Sequence, residues 1–113
     1  RLQILNCEPI EELSDRLMDR KSADFVIIDS FQYTQLTYKG YLKLKAKHRN
    51  KLLIFISHAD GKNPSGRSAK SVMYDASLKI WVEGYRAFSK GRFFGTADYY
   101  TIWEAGASKY WGE

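Results

Sequence analysis

The chain has 113 residues, of which 44% are hydrophobic and 15% aromatic, and it carries a formal net charge of +5. Such a composition suits one folded domain or part of one and excludes a disordered chain. The lone cysteine, Cys7, excludes an intrachain disulfide and a cysteine-built zinc cage, and is expected as a small buried apolar residue.

Leu2 to Leu5 reads as a short strand closed by Glu8-Pro9. Pro9 suits the first turn of a helix, and Ile10, Leu13, Leu17 and Met18 keep helical spacing through Arg20. Glu11 and Glu12 near its start, and Arg20 and Lys21 near its end, complement the helix dipole. Next comes the run Ala23 to Ser30, four apolar residues ending abruptly in Asp29 and Ser30. A strand apolar at every position predicts cover on both faces, as in a parallel sheet between helices. Ligands of such sheets gather outside the carboxyl ends of the strands, where Asp29 and Ser30 would sit. This is the pattern of a Walker B strand, whose Asp helps to hold Mg²⁺ beside a nucleotide's phosphates. A buried strand that merely stops at a turn ends in the same residue types.

Tyr38 to Lys51 admits two readings. Lys39, Lys43, Lys47 and Lys51 make one helical stripe, whereas Lys43, Lys45, Lys47, Arg49 and Lys51 make one face of a strand. Leu42, Leu44 and Ala46 fit alternation slightly better, while the position between two buried strands favours a crossover helix. Leu52 to Ile56 is a second all-apolar strand, ending in Ser57-His58. Ala59 to Ser71 has the Gly, Ser, Asn, Pro and Lys content of a mobile loop. Ser77 to Val82, Tyr85 to Phe94 and Tyr99 to Trp103 read as strands, with Gly95 and Asp98 as turn signals between the last two. Asp75 would cap a helix or turn before the first of these.

Charge is uneven along the chain. Residues 1–30 carry a net of −3 and residues 31–113 a net of +8. The basic part suggests an anionic partner such as nucleic acid or nucleotide. No apolar stretch reaches membrane-spanning length and no signal-peptide pattern opens the chain, so the cytoplasm is the expected compartment and no membrane partner is expected. Arg1 is not a natural start, which implies residues upstream.

The order of these pieces resembles the middle of the RecA-fold P-loop ATPases, with the RadA/Sms branch and its KaiC- and DnaB-like relatives closest. The resemblance is carried by Leu2-Gln3-Ile4-Leu5, Ile10-Glu11-Glu12-Leu13 and Phe25 to Gln32, then by the strand ending in Ser57-His58, the loop at 59–71, and Lys90-Gly91-Arg92-Phe93. It spans roughly residues 2–105. It implies an α/β fold with a mostly parallel sheet flanked by helices, residues 1–113 forming the C-terminal part of one RecA-like core. It implies ATP and Mg²⁺ as cofactors of the complete core, with Asp29 as metal ligand and Ser30 supporting it. His58 would face the γ-phosphate, and Lys90 and Arg92 would reach a nucleotide held by a neighbouring subunit. Lys62, Arg67 and Lys70 would contact single-stranded DNA, and the parent would be a ring or filament of identical subunits. Helicase, recombination and DNA-repair roles all fit that class.

No Gly-x-x-x-x-Gly-Lys-Ser/Thr loop occurs in the chain, and the family's catalytic Glu has no counterpart, Glu8 being a poor substitute. The phosphate cradle supplies much of nucleotide binding. The chain alone is therefore expected not to turn over ATP. It would need its missing N-terminal half, or else associate through exposed sheet edges. Gln32 and Tyr33 would line the nucleic-acid side or pack as ordinary loop residues, and Arg86 is a further candidate cation beside Lys90 and Arg92. Trp81, Trp103, Trp111, Tyr99 and Tyr100 are expected in packing. The alternative function is a non-enzymatic module that binds single-stranded nucleic acid through segments 39–51 and 60–70.

Overall fold

The computed structural model describes residues 3–4, 9–91 and 99–113. Cys7, Glu8, Arg92, Gly95 and Asp98 lie outside the described residues, as do Leu2 and Leu5 of the expected first strand; Gln3 and Ile4 carry no regular structure.

Helix α1 (Ile10–Leu17) follows Pro9, with Glu11 and Glu12 in its first turn and Arg16 in its last. It stops three residues short of Arg20, because Met18 N–H and Asp19 N–H bond back to the carbonyls of Asp15 and Arg16 in a tighter turn. The Ser22 hydroxyl then donates to the carbonyls of Leu17 and Asp19 and seals that end.

Strands β1 (Phe25–Asp29) and β2 (Leu52–Ile56) form a parallel pair in the register Phe25–Leu52 to Asp29–Ile56. A short 3₁₀ helix (Phe31–Thr34) and helix α2 (Tyr38–Lys47) make the crossover. The two readings of residues 38–51 resolve to a helix for local and tertiary reasons. Thr37 caps it by accepting the Gly40 N–H at 3.0 Å. Tyr41, Leu44 and His48 all face inward at helical spacing.

One core lies on a single side of the β1–β2 pair. Ile28, Phe31, Leu36, Tyr41, Leu44, Ala69 and Val72 form it, with Ile10, Leu13, Val26, Leu53 and Phe55 packed against it. The opposite face is bare. Phe25 is 73% exposed, Ile27 60% and Leu52 53%, and Ile54 and Ile56 are exposed beside them. The expectation that β1 is covered on both faces is therefore corrected: its residues alternate between core and solvent. All the helices that touch this pair's core stand on one side of it.

Residues 59–71 are not a structureless loop. They form a tight hairpin of β3 (Ala59–Asp60) and β4 (Asn63–Pro64), followed by the start of helix α3 (Arg67–Asp75). Gly61 turns the hairpin at φ +65°. Ala69 and Val72 bury one side of α3 in the core. Asp75 is the last residue of that helix. It accepts from the Tyr41 hydroxyl at 2.7 Å and from the Lys45 ammonium, tying α3 to α2.

The remainder is an antiparallel sheet of β5 (Leu78–Glu83), β6 (Arg86–Gly91) and β7 (Tyr99–Thr101), with helix α4 (Glu104–Trp111) behind it. Gly84 and Tyr85 join β5 to β6 with φ of +55° and +62°, the two left-handed residues that a tight hairpin turn requires. Trp81 stacks on Phe88 at 4.7 Å between ring centres, and Phe88 meets Tyr99 and Trp111. Gly106 lets α4 approach closely, since a Cβ there would fall on the rings of Trp103 and Tyr85. On the other face of this sheet Leu78, Ile80, Val82 and Tyr100 are exposed.

The protein is thus α/β, but the described strands form three small sheets, of which only β1–β2 is parallel. A single mostly parallel sheet is not formed among the described residues. The accessible surface is 9052 Å². A compact monomer of 13.1 kDa would expose about 6,400 Å². The radius of gyration is 15.7 Å, against about 13 Å for a compact domain of this length. The two bare sheet faces are part of that surplus. Among the described residues no helix is long and apolar enough to cross a membrane.

Candidate strand-end site

The parallel pair brings two distant pieces of sequence to one edge. β1 ends in Asp29 and Ser30, and β2 is followed by Ser57 and His58. In-register pairing of Asp29 with Ile56 places both ends level. The Asp29–Ser30 peptide bond is cis. Ser30 is buried, and its Oγ lies 3.2 Å from Nε2 of the exposed His58. The Tyr33 ring meets the His58 ring edge-on at 5.7 Å between centres. Asp29 is exposed and makes no hydrogen bond or ion pair among the described residues. A hydroxyl and an imidazole thus meet at the carboxyl ends of two parallel strands, and Asp29, exposed like Phe25 and Ile27 at alternate positions of β1, ends the first of them.

Gln32 braces this edge. Its Nε2 donates to Ser57 Oγ at 2.7 Å and to the Ser65 carbonyl at 2.9 Å, and its Oε1 accepts the His58 N–H at 3.0 Å. Beside it, an open depression of about 210 Å³ lies between Phe31, Gln32 and Leu36 on one side and the first turn of α3 on the other. Gln32 and Tyr33 therefore belong to the strand-end cluster.

The expected nucleic-acid cations divide. Arg67 and Lys70 share one exposed side of α3, three residues apart, and neither pairs with a carboxylate among the described residues. Lys62, at the hairpin tip, rests its ammonium 4.9 Å from the centre of the Trp81 ring. Of the expected trans-acting pair, Lys90 stands opposite Lys79 in the β5–β6 register, while Arg92 lies outside the described residues. Arg86 is a correction. It is buried, forks onto both carboxylate oxygens of Glu113, and stacks against Tyr99 and Trp111, so it holds α4 to the sheet. The Glu113 hydrogen bonds push the guanidinium further up, and Arg86 in turn holds the Glu113 carboxyl below its usual range.

One pair was not foreseen in the sequence. His48 is buried at the end of α2, its Nε2 2.8 Å from Ser14 Oγ on α1. Burial holds the imidazole below its ordinary value, with Lys47 and Lys51 adding to the effect. No acid orients that imidazole among the described residues, and the pair joins α1 to α2. Its signal was the spacing Tyr41, Leu44, His48, which the more conspicuous lysine pattern obscured.

Among the described residues no group of three or more His, Cys, Asp or Glu could hold a metal ion by itself. Asp29 fits the more limited part of one carboxylate on a Mg²⁺ completed by phosphate oxygens and water. No protein-family model, no curated protein and no solved structure matches the chain.

Proposed function

We propose that this chain supplies the Walker B and sensor end of a RecA-like ATPase core that remodels DNA, as in a helicase, recombination or repair motor. The observation that supports this most is the meeting of Ser30 and His58 at the carboxyl ends of the parallel pair, Ser30 Oγ 3.2 Å from His58 Nε2, next to Asp29 at the end of β1. Asp29 would hold Mg²⁺, or a water bound to it. Ser30 would keep His58 aimed at the same place, and His58 would meet a terminal phosphate and feel its loss. Bound Mg²⁺ and ATP would supply the charge and the leaving group. The phosphate cradle would come from further polypeptide, the N-terminal half of the core. The bare face of β1–β2 is the kind of surface such a layer would cover. In the complete motor Lys90 and Arg92 would act across a subunit boundary of a ring or filament.

The decisive experiment is Asp29→Ala in the longest natural polypeptide that carries this sequence. The reading expects ATP hydrolysis to fall at least a hundredfold with the fold retained. An unchanged rate would sink it.

A second reading, a basic module for single-stranded nucleic acid, has its own support. Lys39 and Lys43 on α2, Arg49 beyond it, and Arg67 and Lys70 on α3 make no ion pair among the described residues. That reading expects the chain to bind an oligonucleotide without ATP, with affinity dropping steeply as salt rises.

A further inference from the structure

The carboxamide of Gln32 bonds to three residues on two segments of chain. It accepts from the His58 N–H and donates to Ser57 Oγ and the Ser65 carbonyl. Those partners are themselves tied together. The Ser65 N–H donates to the His58 carbonyl at 2.8 Å, and the Ser57 hydroxyl donates to the same carbonyl at 2.8 Å. The side-chain amide therefore sits at the root of the β3–β4 hairpin as a peptide group sits between two strands. Its orientation is fixed by its partners, because the His58 N–H can only donate and the Ser65 carbonyl can only accept.

We infer that Gln32 is the positioning residue of the strand-end site. By gripping the His58 backbone it fixes where the imidazole emerges, and so holds that ring against Ser30. By gripping Ser65 it fixes the hairpin, and with it the start of α3, relative to the end of β1. A planar group with one acceptor edge and two donors is needed for all three bonds, which Gln provides and Glu or Leu does not. Removing the grip leaves the His58 main-chain N–H, at an exposed position, to water, and the peptide is then free to turn. The inference rests on the proposed reading of Asp29, Ser30 and His58 only for the word site; the geometry stands without it.

The test is nuclear magnetic resonance on the full chain, with no nucleotide present. In the unaltered protein the Gln32 side-chain amide protons should exchange at least tenfold more slowly than those of the exposed Gln35. In Gln32→Leu the His58 amide should exchange at least tenfold faster, and the His58 ring signals, which feel the Tyr33 ring, should move while those of the core residue Val72 stay. Gln32→Glu keeps the acceptor and loses the donors, so it should spare the His58 amide more than Leu does. Gln32 protons exchanging as fast as those of Gln35 overturn the inference, as do unmoved His58 signals in a folded Gln32→Leu protein. Should the Leu variant not fold, the comparison within the unaltered protein decides. Because no ATP enters this experiment, its failure is separate from a failure of the Asp29→Ala test.

Discussion

The Ser30 hydroxyl and the Nε2 of His58 meet at 3.2 Å across 28 positions of sequence, at the point where the two parallel strands end. The hydroxyl is buried and the imidazole is exposed. His58→Ala should therefore cost more than Ser30→Ala, because the first strands a buried polar group while the second leaves a ring that water can serve. We expect about 2 kcal/mol against under about 1 kcal/mol, read from urea unfolding. The reverse order would show that the contact is not made.

Ile27 and Ile28 are chemically identical neighbours on opposite faces of β1, 60% and 8% exposed. Ile28→Ala should lower stability by about 3 kcal/mol, since it opens a hole in the core. Ile27→Ala should change it by less than about 0.5 kcal/mol. Equal costs in chemical denaturation would mean that something covers the outer face.

Tyr41 is buried and donates its hydroxyl to Asp75 at 2.7 Å. Burial, then the bond to Asp75, pushes its ionisation far above the ordinary tyrosine value. A raised folded-state value contributes stability that is complete below about pH 10 and is lost as pH climbs beyond it. Tyr41→Phe should cost about 2 kcal/mol at neutral pH, the range for a hydrogen bond to a charged group. It should also flatten the alkaline limb of a plot of urea midpoint against pH.

His48 gives the opposite limb. Its folded-state value is depressed, so the folded chain takes up a proton less readily than the unfolded one. Its stabilising contribution is whole above the unfolded value of about 6.5 and fades as pH falls below it. Around the ring stand Ser14, Lys47 and Lys51, with Asp15 paired to Lys47 at 3.8 Å. The urea midpoint should drop as pH falls below about 6.5, and His48→Gln should remove most of that slope. A slope that survives the substitution would assign it elsewhere.

Exposed apolar sheet faces bind reporter dyes and other proteins. The chain should bind a hydrophobic fluorescent dye at neutral pH without denaturant. Ile27→Lys with Ile54→Lys should at least halve that signal while leaving the far-ultraviolet circular dichroism unchanged. A signal unaffected by the double change would point to the face bearing Leu78, Ile80 and Val82.

The strands were legible because short apolar runs bounded by polar residues have few alternatives. β1 and β2 begin and end within a residue or two of the expected limits, and the level placement of Ser30 and His58 follows once the two strands are parallel. What the run Phe25 to Ile28 could not convey is whether this chain supplies cover for both faces, since composition does not say where a covering layer comes from. Helix α3 was hidden for another reason. Gly66, Ser68 and Ser71 are turn-forming residues, and α3 is stabilised by docking Ala69 and Val72 into a core built elsewhere in the chain. The same holds for Gln32, whose partners lie 25 to 33 positions away and have no local signature. Arg86 looked like a free cation because its partner, Glu113, is 27 positions distant.

The hairpin tip touches the second sheet through Lys62 on Trp81. That attraction is to the electron-rich face of a ring, which has no proton to gain. Acid that discharges the carboxylate of Glu113 will loosen its contact and leave this one in place, so the tether between hairpin and β5, like the stacking of Arg86 on Tyr99 and Trp111, outlasts a fall in pH.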